Sequence, residues 1–457
     1  MLTRRQILNA AALSGGAAVF GSAISAPLAA AQLGPRAIVD PIEANNGRTS
    51  ANTPAQPPGV PGRDYLPVFT PNGCALDYKI VGGVKVMHLV ACEVQHEFAP
   101  GLTADCWGYN GHTPGPTIEA VEGDRLRIYV TNRLPEPTTI HWHGIRNLNG
   151  MDGDAGLTQK PIPPRQTFRY EFTLPGPGTF MYHSHFDTMT QDALGMMGMF
   201  IVHPRHRPAN PPDRDYVIML SEWRIDPGTR RPVTTEMTDF NLFTMNSKVY
   251  PATHPLVAKL GQRVRIRLGN LGAMDHHPIH LHGYQMTLIE QDGSPIAESA
   301  RRAGNTFLVP VGSTRTVEFI ADNPGDWPMH CHMTHHTMNQ MGHNVPNLIG
   351  VNAPAIDKAV DPLLPDFMTM GSDGMGAMSA MSMPAPPNSI PMLGGKGRFG
   401  PIDMGGMFTL LKVRQELSGY DDPGDYDFPP GTVSVAATPG ELARDGIDVN
   451  VRFENRD

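Results

Sequence analysis

The sequence predicts an all-β protein built from two copies of one Greek-key β-sandwich. Three observations carry that expectation. Short apolar segments alternate with period two between turn residues, as in GDRLRIYVTNRL at 123–134 and GQRVRIRLGNLG at 261–272, which is the pattern of half-buried strands. Forty-eight Gly and 45 Pro among 457 residues supply frequent turns, and few long helical periods interrupt them. The chain also aligns with itself.

That internal repeat sets the domain organisation. Gly123-Asp124-Arg125-Leu126-Arg127-Ile128 lies over Gly261-Gln262-Arg263-Val264-Arg265-Ile266 at an offset of 138 residues, and Pro177 through His185 lies over Pro324 through His332 at an offset of 147. Each unit is roughly 130 residues, the size of a Greek-key sandwich. The two units are placed at 70–205 and 210–352, joined by the Arg/Pro-rich stretch from His203 to Pro212.

Before the first unit, Thr3-Arg4-Arg5-Gln6-Ile7-Leu8 and an Ala-rich apolar stretch read as a twin-arginine export signal over residues 1–31. An N-terminal extension follows at 32–69. The signal carries two arginines and no acids, so its removal takes the formal charge from −8 to −10. An acidic surface argues against nucleic acid as partner. The expected address is periplasmic or secreted, with no membrane span in the mature form. Such a compartment permits one disulfide among Cys74, Cys92 and Cys106, whose pairing the spacing leaves open.

The chemistry is concentrated in histidines. His330-Cys331-His332-Met333-Thr334-His335-His336, with Met341 beyond, offers a thiolate, imidazoles and a thioether, three of the four donors of a blue copper site. The remaining imidazole must come from elsewhere, and His277-Pro278-Ile279-His280-Leu281-His282-Gly283 supplies candidates. In an extended strand, His280 and His282 share one face; His330 and His332 do likewise, while Cys331 between them faces the other way. His141-Trp142-His143-Gly144 and His183-Ser184-His185 repeat that spacing in the first unit. Trp142 is read as a packing residue. His276, His335 and His343 lack paired spacing and are read as ordinary surface or core groups.

The four segments, HWHG, HSH, HPIHLHG and HCHMTHHTMNQM, resemble the motifs of the laccase-like multicopper oxidases, in order. The resemblance implies cupredoxin-like domains and four coppers per chain. It implies a type 1 copper at His277, Cys331, His336 and Met341, where the family's Cys-x4-His interval selects His336 over His335. It implies a type 2 copper at His141 and His280, and a type 3 pair at His143, His183, His185, His282, His330 and His332. Ser184 stands where the second unit has Cys331, and a hydroxyl cannot replace the thiolate. The first domain is therefore expected to lack a blue copper, as in the two-domain branch of the family. In that branch the eight histidines meet between neighbours of a homotrimer; a cluster within one monomer is the alternative.

The activity implied is one-electron oxidation of phenolic or aromatic substrates, or of reduced metal ions such as Cu(I), Fe(II) or Mn(II), coupled to four-electron reduction of O2 to water. Cys331 is the expected electron entry. Asp152, in Met151-Asp152-Gly153, matches the acid that relatives place near the type 2 site, where it would orient water or relay protons. A periplasmic copper-binding or resistance protein is the reading from another class, and a two-domain copper nitrite reductase is the other enzyme. The full histidine set and Ser184 weigh against the latter. From 353 to 457 the composition shifts to a Met/Gly/Pro-rich C-terminal extension, with Met368, Met370, Met375, Met378, Met381, Met383 and Met392 as candidate Cu(I) donors. Within it, Met407 to Val413 reads as a strand that docks on a domain or subunit surface.

Overall fold

Strands with alternating burial, such as Arg125–Asn132, and strands buried along nearly their whole length, such as Met197–His203 and Arg214–Trp223, build the molecule as two pairs of sheets. The computed structural model describes residues 48–340, 353–360, 362–363 and 387–451. The export signal, Met341, His343 and the methionines from Met368 to Met383 lie outside these residues.

The first unit holds β1 (Tyr78–Val81), β2 (Val84–Ala99), β3 (Leu102–Tyr109), β4 (Gly115–Val121), β5 (Arg125–Asn132), β6 (Thr167–Thr173), β7 (Gly178–His183) and β8 (Met197–His203). One sheet runs β1-β2-β5-β6 with β3 on β2, and the other runs β4-β8-β7. Their inward residues, among them Leu89, Trp107, Ile128, Trp142, Tyr182 and Phe200, close one buried core.

The second unit holds β9 (Arg214–Trp223), β10 (Leu242–Met245), β11 (Leu256–Lys259), β12 (Arg263–Asn270), β13 (His277–Leu281), β14 (Met286–Gln291), β15 (Ser294–Pro295), β16 (Arg302–Gly304), β17 (Thr306–Val309), β18 (Ser313–Ile320) and β19 (Gly325–Cys331). After a hairpin of β20 (Gly395–Gly397) and β21 (Gly400–Ile402) comes β22 (Phe408–Arg414). The sheet orders are β10-β9-β12-β18-β14-β15, with β16 on β14, and β11-β22-β19-β13-β17. The all-β expectation holds. The Met407–Val413 segment does form a strand, but it enters the sheet between β11 and β19 instead of docking on a surface, so a strand of the second sandwich lies beyond the 210–352 span. Leu411 and Val413 are buried in the second core beside Ile279, Met329 and Cys331.

The repeat is visible in individual hydrogen bonds. Asn132 and Asn270 end β5 and β12, and each amide donates to two backbone carbonyls, those of Glu136 and Ile162 or of Asp275 and Val309. Each side-chain oxygen accepts from the residue two further on, Leu134 or Gly272. Gly144 and Gly283, after the paired histidines, both adopt positive φ (89° and 71°), and a Cβ on either would strike the ring of Phe180 or Trp327.

The two sandwiches share a methionine-rich seam of Met181, Met197, Met199, Ile201, Val217 and Met219. A buried ion pair seals it: Arg267 donates to Asp215 at 2.8 and 2.9 Å and to Thr179 of the first domain at 2.8 Å. Burial opposes the charge of Asp215, but Arg267 outweighs it and holds the carboxyl below its usual range.

Candidate metal centres

The β13–β19 register decides where the donors go. Ile279 pairs with Cys331 and His280 with His330, so Ile279, Met329 and Cys331 enter the core and the histidines between them face outward. His277 opens β13, and His336 lies in the 3-10 turn Thr334–Thr337 directly after β19.

These three side chains converge in a buried pocket. Their ligand atoms all lie within 4.8 Å of one another. The two Nδ1 atoms are 3.2 Å apart, and Cys331 Sγ is 3.9 Å from His277 Nδ1 and 3.5 Å from His336 Nδ1. Burial pushes the Cys331 thiol up to about 12. Burial, then the neighbouring His277 and His335, pushes His336 down to about 3. A thiol and two imidazole nitrogens brought this close in a buried pocket are an arrangement that a soft cation would tie together, taking the place of the thiol proton and bonding to each nitrogen. The donor set fits copper. The fourth expected donor, Met341, is outside the described residues.

The other eight histidines form two quartets. In the first domain, the rings of His141, His143, His183 and His185 lie 5.4–6.0 Å apart wherever they touch, and the backbones of His141 and His183 exchange hydrogen bonds at 2.8 and 3.2 Å. In the second, the rings of His280, His282, His330 and His332 touch at 4.8–5.7 Å, with His282 Nε2 3.1 Å from His330 Nε2. Among the described residues no ring contact joins one quartet to the other. His282 and His332 are exposed, and His141, His143, His183 and His185 are partly exposed. Each quartet is open to solvent.

Hydrogen bonds at Nδ1 fix which nitrogen is free. His141 Nδ1 meets the Asp152 carbonyl at 2.9 Å and His280 Nδ1 the Asn305 carbonyl at 2.9 Å. His183 Nδ1 meets the Ser184 carbonyl at 2.7 Å, and His330 Nδ1 the Cys331 carbonyl at 2.8 Å, the same bond in both repeats. In all four, Nε2 is left for a metal. His143 leans on the second domain's Gly312 backbone, and burial, then His183 and His141, lowers it to about 4.

The structure brings Asp152 to His141, with Oδ2 3.5 Å from Nδ1. It also brings acids that sequence reasoning missed. Asp192 lies 3.1 Å from His183 Nδ1 and Asp154 lies 3.5 Å from His185 Nδ1. Burial disfavours a charged His183, but the Asp192 hydrogen bond and charge outweigh it and raise the imidazole. Glu222 and Asp275 face the buried pocket, at 3.5 Å from His277 Nε2 and 3.8 Å from His336 Nε2. Asp275 directly precedes the HHPIHLHG segment and Asp154 lies one turn from Asp152, so both left a local signal. Asp192 and Glu222 left none.

His335 is exposed. His276 is exposed too, its Nδ1 accepting from Val311. Trp142 is fully buried among Tyr170, Phe172, Tyr182 and Phe200, a packing residue as expected. The disulfide does not appear: Cys74, Cys92 and Cys106 are all free thiols, Cys92 and Cys106 lying on β2 and β3 opposite Gly108 and Val94 and not opposite each other.

Comparison with known proteins agrees with this geometry. Two models described as multicopper oxidase match residues 91–207 and 226–350, together more than half of the chain. A multicopper oxidase of Mycobacterium tuberculosis is 30% identical over 64% of this chain and 57% of its own length, so the chain spans little more than half of that relative. The multicopper oxidase mgLAC is similar in structure, with TM-score 0.53 and 27% identity over 74% of this chain and 87% of its own. The blue copper oxidase of Nitrosomonas europaea, at 24% identity, shares the fold with TM-score 0.54 over 80% of this chain and 96% of its own. A buried thiol between two imidazoles, two histidine quartets on duplicated sandwiches and family matches across both repeats lead to one conclusion: the chain belongs to the multicopper oxidase family.

Proposed function

We propose that this oxidoreductase takes single electrons from a small phenolic or aromatic reductant, or from a reduced metal ion, and passes four of them to O2, releasing water. The observation that carries the reading is β19: Cys331 points into the buried pocket while His330 belongs to the solvent-facing quartet, so one peptide bond separates the two centres. His277, Cys331, His336 and Met341 are assigned to a type 1 copper, His141 and His280 to type 2, and the remaining six histidines to the type 3 pair. Bound copper would supply the one-electron redox steps and the affinity for oxygen.

The protein's own groups then have definite tasks. Nδ1 hydrogen bonds hold four imidazoles with Nε2 outward. Asp152, beside His141, holds a proton or water at the edge of the type 2 position. Each quartet supplies half of the eight ligands and stands open, so the reading includes a homotrimer in which the first-domain quartet of one copy meets the second-domain quartet of the next. Exposed apolar side chains lie close in sequence to the histidines of both quartets: Leu148, Leu157 and Met189 in the first domain, Leu308 and Met333 in the second. Exposed apolar groups of this kind suit burial against a partner. Among the described residues no helix is long and apolar enough to cross a membrane, and the N-terminal sequence supports export to the periplasm or beyond.

Three measurements on the copper-loaded protein test the reading together. Metal analysis should give near four coppers per chain, absorption should show an intense blue band that Cys331→Ser removes, and a phenol or Cu(I) should drive O2 uptake. A protein that holds copper with neither blue band nor turnover would be a copper-binding protein instead. Sedimentation of the same sample should give three chains per particle.

A further inference from the structure

The second sandwich buries a carboxylate that the ligand assignments do not use. Glu222 lies on β9, and both its side chain and that of His277 are fully buried. Oε1 accepts from the backbone N–H of Met274 at 2.6 Å and of Asp275 at 3.0 Å, which anchors the acid to the loop entering β13. Oε2 is left 3.5 Å from His277 Nε2, and neither atom has another hydrogen-bond partner. Gly272 makes the room: a Cβ there would lie 1.7 Å from Oε2.

The neighbouring strand supports the other imidazole. Phe243 on β10 pairs directly with Glu222, and its ring stacks on His336 at 3.9 Å with planes 9° apart. One cross-strand pair of the opposite sheet therefore holds both imidazoles of the pocket.

The duplicated domain provides the control. Ala91 pairs with Asn132 as Leu220 pairs with Asn270, so Glu93 is the repeat counterpart of Glu222 and its partner Trp107 that of Phe243. Glu93 is exposed. An acid at this position is buried only where imidazoles face it.

We propose that Glu222 is a positioning residue for the blue copper site: it holds His277 as the Nε2–H tautomer, keeps Nδ1 turned to the metal, and favours the oxidised ion by placing a fixed negative charge behind the ligand. The inference rests on the assignment of His277 as a type 1 ligand. A buried acid with a lone pair facing an imidazole is costly unless the imidazole donates to it, and a metal on Nδ1 leaves the proton on Nε2, where it does so.

Glu222→Gln keeps the shape but removes the charge and one of two acceptors. In a redox titration of the copper-loaded protein, the preference of the blue site for the oxidised over the reduced ion should fall about tenfold, a rise of ~59 mV for a one-electron couple. Glu222→Asp should restore part of the shift, and Glu93→Gln should cause none. Nitrogen-15 NMR of the metal-free wild-type chain should show His277 protonated at Nε2, which decides the matter even if the Gln variant fails to fold. An unchanged potential in Glu222→Gln, or a proton on Nδ1 in the metal-free chain, overturns the proposal. Absence of a blue band in the wild-type protein would overturn the ligand assignment itself and is read separately.

Discussion

The two sandwiches bury different chemistry at one and the same place. In the second domain the place holds His277, Cys331 and His336. In the first, Ser184 stands for Cys331, and Thr138, three residues before His141, stands for His277, three before His280. There Thr138 Oγ1 and Ser184 Oγ donate to Gln191 Oε1 at 2.7 and 2.6 Å, and Gln191 Nε2 donates to the Pro137 carbonyl at 2.8 Å. Every donor finds an acceptor and no charge is required. In the second domain a buried thiol and two imidazole nitrogens converge on one point instead, 3.2–3.9 Å apart. A buried polar cluster that closes on itself is structure; one that converges without closing is a site for a cation.

The largest test of this contrast converts one state into the other. Cys331→Ser should abolish the blue band and bring reductant-driven O2 uptake to background, while circular dichroism and thermal melting stay close to wild type. Ser184 already shows that a hydroxyl is accommodated at this position of the sandwich. A Cys331→Ser protein that still turned over at the wild-type rate would remove the second-domain pocket from the electron route.

Much of this contrast was legible in the sequence, because ligand pairs separated by one residue report the face of a strand directly. The offset of 138 residues between Gly123 and Gly261 reflected a repeat so close that Asn132 and Asn270 make the same hydrogen bonds. What stayed hidden depends on long-range pairing. β22 lies far along the chain from β19 yet fills the gap beside it, partly through a parallel pairing with β11 that no hairpin turn announces. Glu222 reaches His277 from the opposite sheet, so no spacing links them. The permitted disulfide does not form, for a geometric reason in the case of Cys92 and Cys106: compartment and cysteine count allow a bridge, but strand register decides whether two sulfurs can meet.

A smaller effect is expected at the quartets, where the two domains differ in how the imidazoles are braced. His183 has the Ser184 carbonyl and the Asp192 carboxylate at its Nδ1, whereas His330 has only a carbonyl there among the described contacts. Asp192→Asn should weaken copper retention at the histidine cluster about 10–100-fold, measured by competition with a chelator, and leave the blue band intact. Equal loss of blue copper and cluster copper would mean that Asp192 supports the fold and not the site.

Smaller still are changes confined to the closed cluster of the first domain. Gln191→Ala takes the Pro137 carbonyl's donor and leaves the Thr138 and Ser184 hydroxyls with longer contacts, to the Thr139 and Phe186 carbonyls, both at 3.2 Å, and should cost about 1–3 kcal/mol in denaturant unfolding with turnover per folded molecule unchanged. Ser184→Cys is the mildest change and the most telling. The thiol is a weak donor, so Gln191 Oε1 keeps only the Thr138 hydroxyl as a full partner, at a cost of about 1 kcal/mol. The cysteine would sit where Cys331 sits in the repeat, but Thr138 and Gln191 offer it no imidazole nitrogen. Absorption should therefore show no second blue band at any copper concentration. A second band would mean that the sandwich frame alone imposes the blue geometry around a thiolate, and that the contrast between the domains depends on one atom instead of the whole donor set.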